Sequence, residues 1–309
     1  MRAVTYDSYG EPSRLRLTQQ PTPKCAPGEV LIRVRCAAVN PVDWKIMAGY
    51  LDRILYVQFP AIPGWDVAGV VESVGLDTPE FRAGDEVLAY ARKDFVHGGT
   101  FAEFVSVPVR AVARKPSALS WEQAAGLPLA GLTARQLLDR IGLHSGGSQT
   151  VLVHAAAGGV GALAVQLARN AGARVIGTAS ARNHDFLRSL GCEPVAYGPG
   201  LLERVRALAP EGVDLVADCV GGVLDVTRAV LKEGGRHGSV VDASVAEAGG
   251  QYVWGRPDGA ELERLAQVAA EGRLTVAIER AFPLREAAKA LDLNRSGHVR
   301  GKVVLRVSP

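Results

Sequence analysis

The run Val151-Leu-Val-His-Ala-Ala-Ala-Gly-Gly-Val-Gly161 ends an apolar segment in a loop of small residues and leads into a helix-like stretch from Ala162 to Gly172. So apolar a run reads as a buried parallel strand. Small residues after it let the backbone approach a pyrophosphate, and the start of the helix offers unpaired N–H groups and positive dipole. In the Gly-x-Gly-x-x-Gly fingerprint the glycine places fall on Ala156, Gly158 and Gly161, with Gly159 and Val160 between the last two. Alanine replaces the first glycine, so the motif is weak alone and dinucleotide binding rests on the strands and helices downstream of it.

Specificity for NAD usually shows an acidic residue about 20 positions downstream, where it accepts from the ribose hydroxyls. Here Gly177-Thr-Ala-Ser-Ala-Arg-Asn183 has no carboxylate before Asp185, and Ser180, Arg182 and Asn183 are donors suited to a 2′-phosphate. NADPH is the expected cofactor, although an arginine starting a helix is also a common surface residue. Asp218-Cys-Val-Gly221 falls at the carboxyl end of an expected strand, the rim where open α/β sheets bind ligands. Val220 is placed to flank the nicotinamide ribose, and Ser239 and Val240, on the next rim strand, to approach the carboxamide. His154 reads as a satisfied histidine at a buried strand end, and His144, Ser145 and Ser148 show no triad-like arrangement.

The elements that must position these residues alternate. Strands are expected at Ala173–179, Val213–219 and Gly238–243, with a helix at Asn183–190, which argues for a parallel, doubly wound sheet. The first 115 or so residues differ, with β-rich runs at 30–39, 68–74, 86–89 and 101–108 broken by Pro and Gly, the pattern of a mainly β, partly open barrel. Helices are expected at 41–49, 119–123, 126–141, 258–271 and 284–291, and a closing strand at 302–307. The fold class is α/β, a β-barrel domain plus a doubly wound parallel sheet.

With 309 residues, 48% hydrophobic and 22% charged, the chain is globular and large enough for two domains. A formal charge of +3 from scattered basic residues leaves no footprint for nucleic acid. No apolar run reaches the roughly 18 residues of a membrane helix, and the start lacks a signal-like segment, so the expected location is cytoplasmic. Cys25, Cys36, Cys192 and Cys219 sit singly, without the spacing of a zinc clip or a redox pair, and read as free thiols.

Several blocks in order carry a resemblance: Asn40-Pro-Val-Asp-Trp-Lys45, Pro63-Gly-Trp-Asp-Val-Ala-Gly69, Gly84-Asp-Glu-Val87, Gly98-Gly-Thr-Phe-Ala-Glu-Phe104, Ala124-Ala-Gly-Leu-Pro-Leu-Ala-Gly-Leu-Thr133 and Gly297-His-Val-Arg-Gly-Lys-Val-Val-Leu305. Nearly end to end, the chain resembles the zinc-independent quinone oxidoreductase group of the medium-chain dehydrogenase/reductase superfamily, which includes zeta-crystallin. The resemblance implies a GroES-like catalytic domain over 1–118, a Rossmann NADP-binding domain over 119–255, and a return to the catalytic domain over 256–309.

Zinc-dependent relatives carry a catalytic Cys and a Gly-His-Glu where this chain has Asn40 and Gly64-Trp65-Asp66, so no metal is expected. Without a Lewis acid, hydride goes best to a carbon activated by conjugation, which favours quinones and α,β-unsaturated carbonyls over simple alcohols. Asn40 stands where the family places a polar residue at the cleft, and is the candidate donor beside the nicotinamide; an Asn before Pro41 is also a turn former. Tyr50 resembles a residue near the substrate mouth, or is a packing tyrosine. Thr133 resembles the threonine that faces the cofactor diphosphate, and Tyr197 one that lies over the adenosine phosphate. Asp43 and Lys45 read as a charged pair on a solvated face. The implied activity is NADPH-dependent hydride transfer to a quinone or an electron-poor alkene. The alternative is a cofactor-binding protein with little turnover and a regulatory, nucleic-acid-binding or structural role. A homodimer joined through the 238–243 sheet edge is expected.

Overall fold

The structure, a computed structural model, describes residues 1–308. It divides into two compact units. One is Ala130–Arg256 with Arg273–Thr275; the other is Met1–Leu129, Pro257–Gly272 and the chain from Val276 onward.

The first unit holds a six-stranded sheet, all parallel, in the order Glu193–Ala196, Arg174–Ala179, Thr150–His154, Val213–Asp218, Leu231–Ser239, Gln251–Tyr252. Every residue of Thr150–His154 is buried, which is why it reads as an unbroken apolar run. The chain builds outward from it to Glu193–Ala196 and then returns to its other side at Val213–Asp218. The strand order therefore reverses between His154 and Asp218, register partners at the carboxyl edge. One face of the sheet packs Leu152, Ile176, Val195 and Val216 against Leu201, Val205 and Val230.

Two expectations need correction here. The fourth strand spans Leu231–Ser239 rather than 238–243, and Ala243–Ala246 is a 3₁₀ turn capped by the Asp242 carboxylate. Gly238 and Ser239 pair with Gln251 and Tyr252, so that stretch is covered within the chain and Gln251–Tyr252 is the outermost strand. The helices expected over 119–123 and 126–141 are Trp121–Gly126 and Pro128–Arg140, with the boundary between them at Leu127. Pro128 has no N–H to continue the first, and its fixed φ suits the start of the second.

The second unit is built on a seven-stranded sheet. Its order is Ile278–Pro283, Lys302–Arg306, Glu29–Val39, Asp66–Val74, Glu86–Tyr90, Val112–Arg114, with Phe104–Pro108 also pairing Glu29–Val39. Only the first pair is parallel. Val30, Ile32, Val34, Val67, Val87, Phe101, Val105 and Leu305 are part of its buried core. Expected boundaries move here too: the strand of 101–108 begins at Phe104, and 284–291 resolves into a 3₁₀ turn, Leu284–Glu286, and the helix Ala287–Arg295.

Register does the positioning. Val303 pairs with Val39 and Ala38 with Asp66, so Asn40, Asp66 and Lys302 come together at one end of three adjacent strands. Asn40 caps the helix Pro41–Met47, which starts on a proline and carries Asp43 in its first turn.

Candidate active site

Asn40, Asp43, Asp66 and Lys302 form a buried polar cluster, each 5% exposed or less. The Asn40 Nδ2 donates to Asp66 Oδ2 at 2.8 Å, and Lys302 Nζ donates to Asn40 Oδ1. Lys302 Nζ also lies 3.4 Å from Asp66 Oδ2. The other Asp66 oxygen accepts the Leu129 N–H at 2.7 Å, and Asp43 accepts the Asn40 N–H at 2.7 Å. Burial pushes the Asp43 carboxyl up to about 7, although the Asn40 N–H opposes the shift. It pushes Asp66 up as well, against the pull of the Lys302 ammonium.

This corrects the reading of Asp43 and Lys45 as a solvated pair. Asp43 is buried as the partner of the helix-capping residue, while Lys45 lies over the Trp44 ring at 5.7 Å. Lys302 is the residue that pattern reading passes over. The available signal was a lysine opening the apolar run Val303-Val-Leu305, which must be buried if that run is an inner strand.

In the other unit, the glycine loop turns at Ala155, whose φ of +53° is left-handed. Thr178 ties it down: its hydroxyl accepts the Ala155 N–H at 3.0 Å and its carbonyl the Ala156 N–H at 2.9 Å. The helix Gly159–Asn170 starts from Gly158, which supplies no side-chain cap, so the first N–H groups of that helix are left for a ligand. A Cβ on Gly161 would meet the Ala155 carbonyl oxygen at 2.2 Å, whereas one on Gly158 would come within 3.3 Å of the same atom. Glycine at 161 is therefore required by the close packing of the helix start on the loop, and the uncapped N–H groups there fit a dinucleotide's pyrophosphate.

His154 lies beneath this loop, with Nδ1 and Nε2 each 3.5 Å from a threonine hydroxyl, those of Thr178 and Thr227. Burial pushes it down to about 4, partly offset by Asp218, so it is neutral at physiological pH and serves packing.

Ala179 and Ala196 are register partners, which brings Ser180 and Tyr197 side by side at the carboxyl edge. Ser180 opens the 3₁₀ turn Ala181–Asn183, in which Arg182 is exposed and Asn183 Nδ2 donates to Ser180 Oγ at 3.3 Å. Tyr197 is 58% exposed beside them. Asp185, the first carboxylate after the strand, is paired with Arg188 at 2.6 Å. Across the switch point, Asp218 accepts the N–H groups of Val220 and Gly221 and the Ser239 hydroxyl. Val220 is left 51% exposed on the rim, and the Val240 N–H donates to the Asp218 carbonyl. Thr133 is buried in Pro128–Arg140, against Gly255. Tyr50, in the barrel unit, is 68% exposed with its ring edge-on to Trp44, centroids 6.2 Å apart.

Comparison with known proteins places the chain in a family. Residues 26–117 match the alcohol dehydrogenase GroES-like domain, and residues 190–305 the zinc-binding dehydrogenase family. A chloroplast envelope quinone oxidoreductase homolog of Arabidopsis thaliana is 33% identical over 99% of this chain and 98% of its own. An NADPH-dependent alkenal/one oxidoreductase of the same plant, named as chloroplastic, is 34% identical over 100% of this chain and 80% of its own. The solved quinone oxidoreductase of Coxiella burnetii superimposes with a TM-score of 0.86 at 36% identity, covering 100% of this chain and 99% of that one. The chain belongs to the medium-chain dehydrogenase/reductase superfamily, in its quinone oxidoreductase group, and has that superfamily's GroES-like and Rossmann folds.

The zinc of the second family's description does not fit these residues. Asn40, Trp65 and Asp66 stand at the ligand places, no three His, Cys, Asp or Glu side chains gather among the described residues, and the Lys302 ammonium is bonded to Asn40 and Asp66. A cation in that cluster would face a second cation. His97 lies apart from this cluster, exposed, with Nδ1 3.1 Å from the Gln58 carbonyl. No helix among the described residues is long and apolar enough to cross a membrane.

Proposed function

We propose that the protein is an NADPH-dependent oxidoreductase that transfers hydride to a quinone or an α,β-unsaturated carbonyl. Bound NADPH supplies the hydride, from C4 of its nicotinamide. In this reading Ala156, Gly158, Gly159, Val160 and Gly161 hold the pyrophosphate, with Thr133 facing it. Ser180, Arg182, Asn183 and Tyr197 take the 2′-phosphate end, while Val220, Ser239 and Val240 line the nicotinamide side. Asn40 is the polar group beside the ring and Tyr50 borders the substrate mouth. Four unpaired cysteines suit a reducing compartment, which we read as the cytoplasm.

The observation that carries the substrate class is the bond from Lys302 to Asn40, at a position where zinc-dependent relatives place a metal ligand. With an ammonium bound there, the site has no Lewis acid to stabilise an alkoxide, so acceptors that spread charge by conjugation are favoured. The preference for NADPH is supported by the donor set around Ser180 and by the engagement of Asp185 with Arg188.

The test is NADPH and NADH oxidation with a panel of small quinones and a panel of enones and enals. Turnover with either panel and preference for NADPH are expected. Tight NADPH binding without turnover on any acceptor would instead favour the cofactor-binding, non-catalytic alternative.

A further inference from the structure

Lys302 is 5% exposed, and hydride transfer from NADPH to a conjugated acceptor gives it no direct part. A buried ammonium is costly unless paired, and this one faces one amide and one carboxylate. An ammonium only donates and an ionised carboxylate only accepts. Between them the Asn40 amide has a single satisfactory orientation, with Oδ1 toward Lys302 and Nδ2 toward Asp66. Flipped, it would set NH₂ against the ammonium and C=O against the carboxylate. The second N–H on Nδ2 has no partner among the described residues, and its direction is fixed with the rest of the amide. A cation on the amide oxygen also draws electron density from the nitrogen, which makes the remaining N–H a better donor.

We propose that Lys302, acting with Asp66, is a positioning residue that fixes and polarises Asn40 at the reaction centre, a built-in cation on the residue that zinc-dependent relatives replace with a metal ligand. The inference rests on the reading of Asn40 as the group beside the nicotinamide. Its rival is that Lys302 only balances the charge of Asp66 and Asp43.

Three variants of the full chain separate these: Asn40→Ala, Lys302→Met, and the double variant Lys302→Met/Asp66→Asn. Each is measured for thermal midpoint, for kcat and for KM with NADPH. Because the chain has only four asparagines, selective ¹⁵N-asparagine labelling also resolves the Asn40 side-chain amide by NMR in the absence of cofactor. Lys302→Met leaves a carboxylate buried without its cation and is expected to lose stability as well as kcat. The double variant removes both charges together. It should recover the thermal midpoint while kcat stays about tenfold to a hundredfold low, the size seen when a supporting partner of an active-site group is removed. KM for NADPH should hold, and the Asn40 amide signals should shift.

Recovery of kcat together with stability in the double variant, with Asn40→Ala still impaired, would overturn the proposal and leave Lys302 as charge balance. Full kcat in Asn40→Ala would instead remove the reading of Asn40 on which the proposal stands.

Discussion

The Ser239 hydroxyl donates to the Asp218 carboxylate at 2.7 Å, between register partners at the carboxyl ends of adjacent strands. The same carboxylate holds the N–H groups of Val220 and Gly221, so one buried group shapes the rim on one side of the switch point. Ser239→Ala removes a buried charge-assisted hydrogen bond and should cost about 1–3 kcal/mol. It should also raise KM for NADPH, because the N–H groups of Val241 and Asp242, which the Ser239 oxygen accepts, lose their acceptor on the same rim. Thermal melting and steady-state kinetics on the same sample test both; a stable variant with unchanged KM would mean the rim does not depend on this bond.

The glycine loop makes a graded prediction. Gly161→Ala puts a methyl 2.2 Å from the Ala155 backbone oxygen, which no rotamer change relieves, whereas Gly158→Ala meets the same atom at 3.3 Å. Gly161→Ala should therefore weaken NADPH binding by tenfold or more, about 1.4 kcal/mol, with a smaller effect at Gly158. Fluorescence titration of NADPH gives the two dissociation constants, and equal affinities would show that the loop yields without harm.

That loop was legible in the sequence because a parallel strand, a small-residue turn and a helix start are each written in residue type. Asn40 and the 180–183 donors could be named as candidates for the same reason, since they lie at element ends. The Asp43–Asp66–Lys302 cluster was not. Its members are far apart in the chain and meet only through the register of Lys302–Arg306 on Glu29–Val39 and of Glu29–Val39 on Asp66–Val74. Glu193–Ala196 escaped detection because it contains Pro194, which an edge strand tolerates. The misplaced fourth strand has a similar cause, as Lys232-Glu-Gly-Gly235 hides the polar half of Leu231–Ser239.

Arg182→Ala should raise KM for NADPH more than KM for NADH, since only the phosphorylated cofactor presents a dianion beside Ser180 and Asn183. A charge-assisted contact contributes roughly 1.5–3 kcal/mol, or about ten- to a hundredfold in affinity. Equal effects on the two cofactors would place Arg182 outside the phosphate site.

Stability should respond to pH through two groups of opposite sign. His154 falls from 6.5 to about 4 on folding, so the unfolded chain binds the extra proton and stability is lost as pH drops from 6.5 toward 4. Asp43 rises from 3.8 to about 7, so its protonated form favours the folded state and that contribution is lost as pH climbs from 3.8 through 7. Asp43→Asn should therefore flatten the neutral side of the profile and His154→Gln the acid side. Thermal midpoints measured at half-unit steps of pH decide the matter, and parallel profiles for wild type and both variants would refute it.

The last expectation concerns assembly. Leu231–Ser239 is covered by Gln251–Tyr252, so the edge that needs a partner is the outer side of that two-residue strand. The Val253 N–H donates inward to Ser239 at 2.9 Å, which by alternation turns the Tyr252 N–H outward. Trp254, an apolar side chain left 36% exposed, follows directly. A two-fold axis would let the outer strands of two copies pair antiparallel and cover both aromatic residues, closing the edge without further growth. Light scattering at micromolar concentration should then give about twice the single-chain 32.6 kDa. Tyr252→Pro, which removes the outward N–H and keeps the inward bond of Val253, should shift the population toward monomer. A wild-type mass of one chain would mean that so short a strand leaves too little edge to recruit a partner.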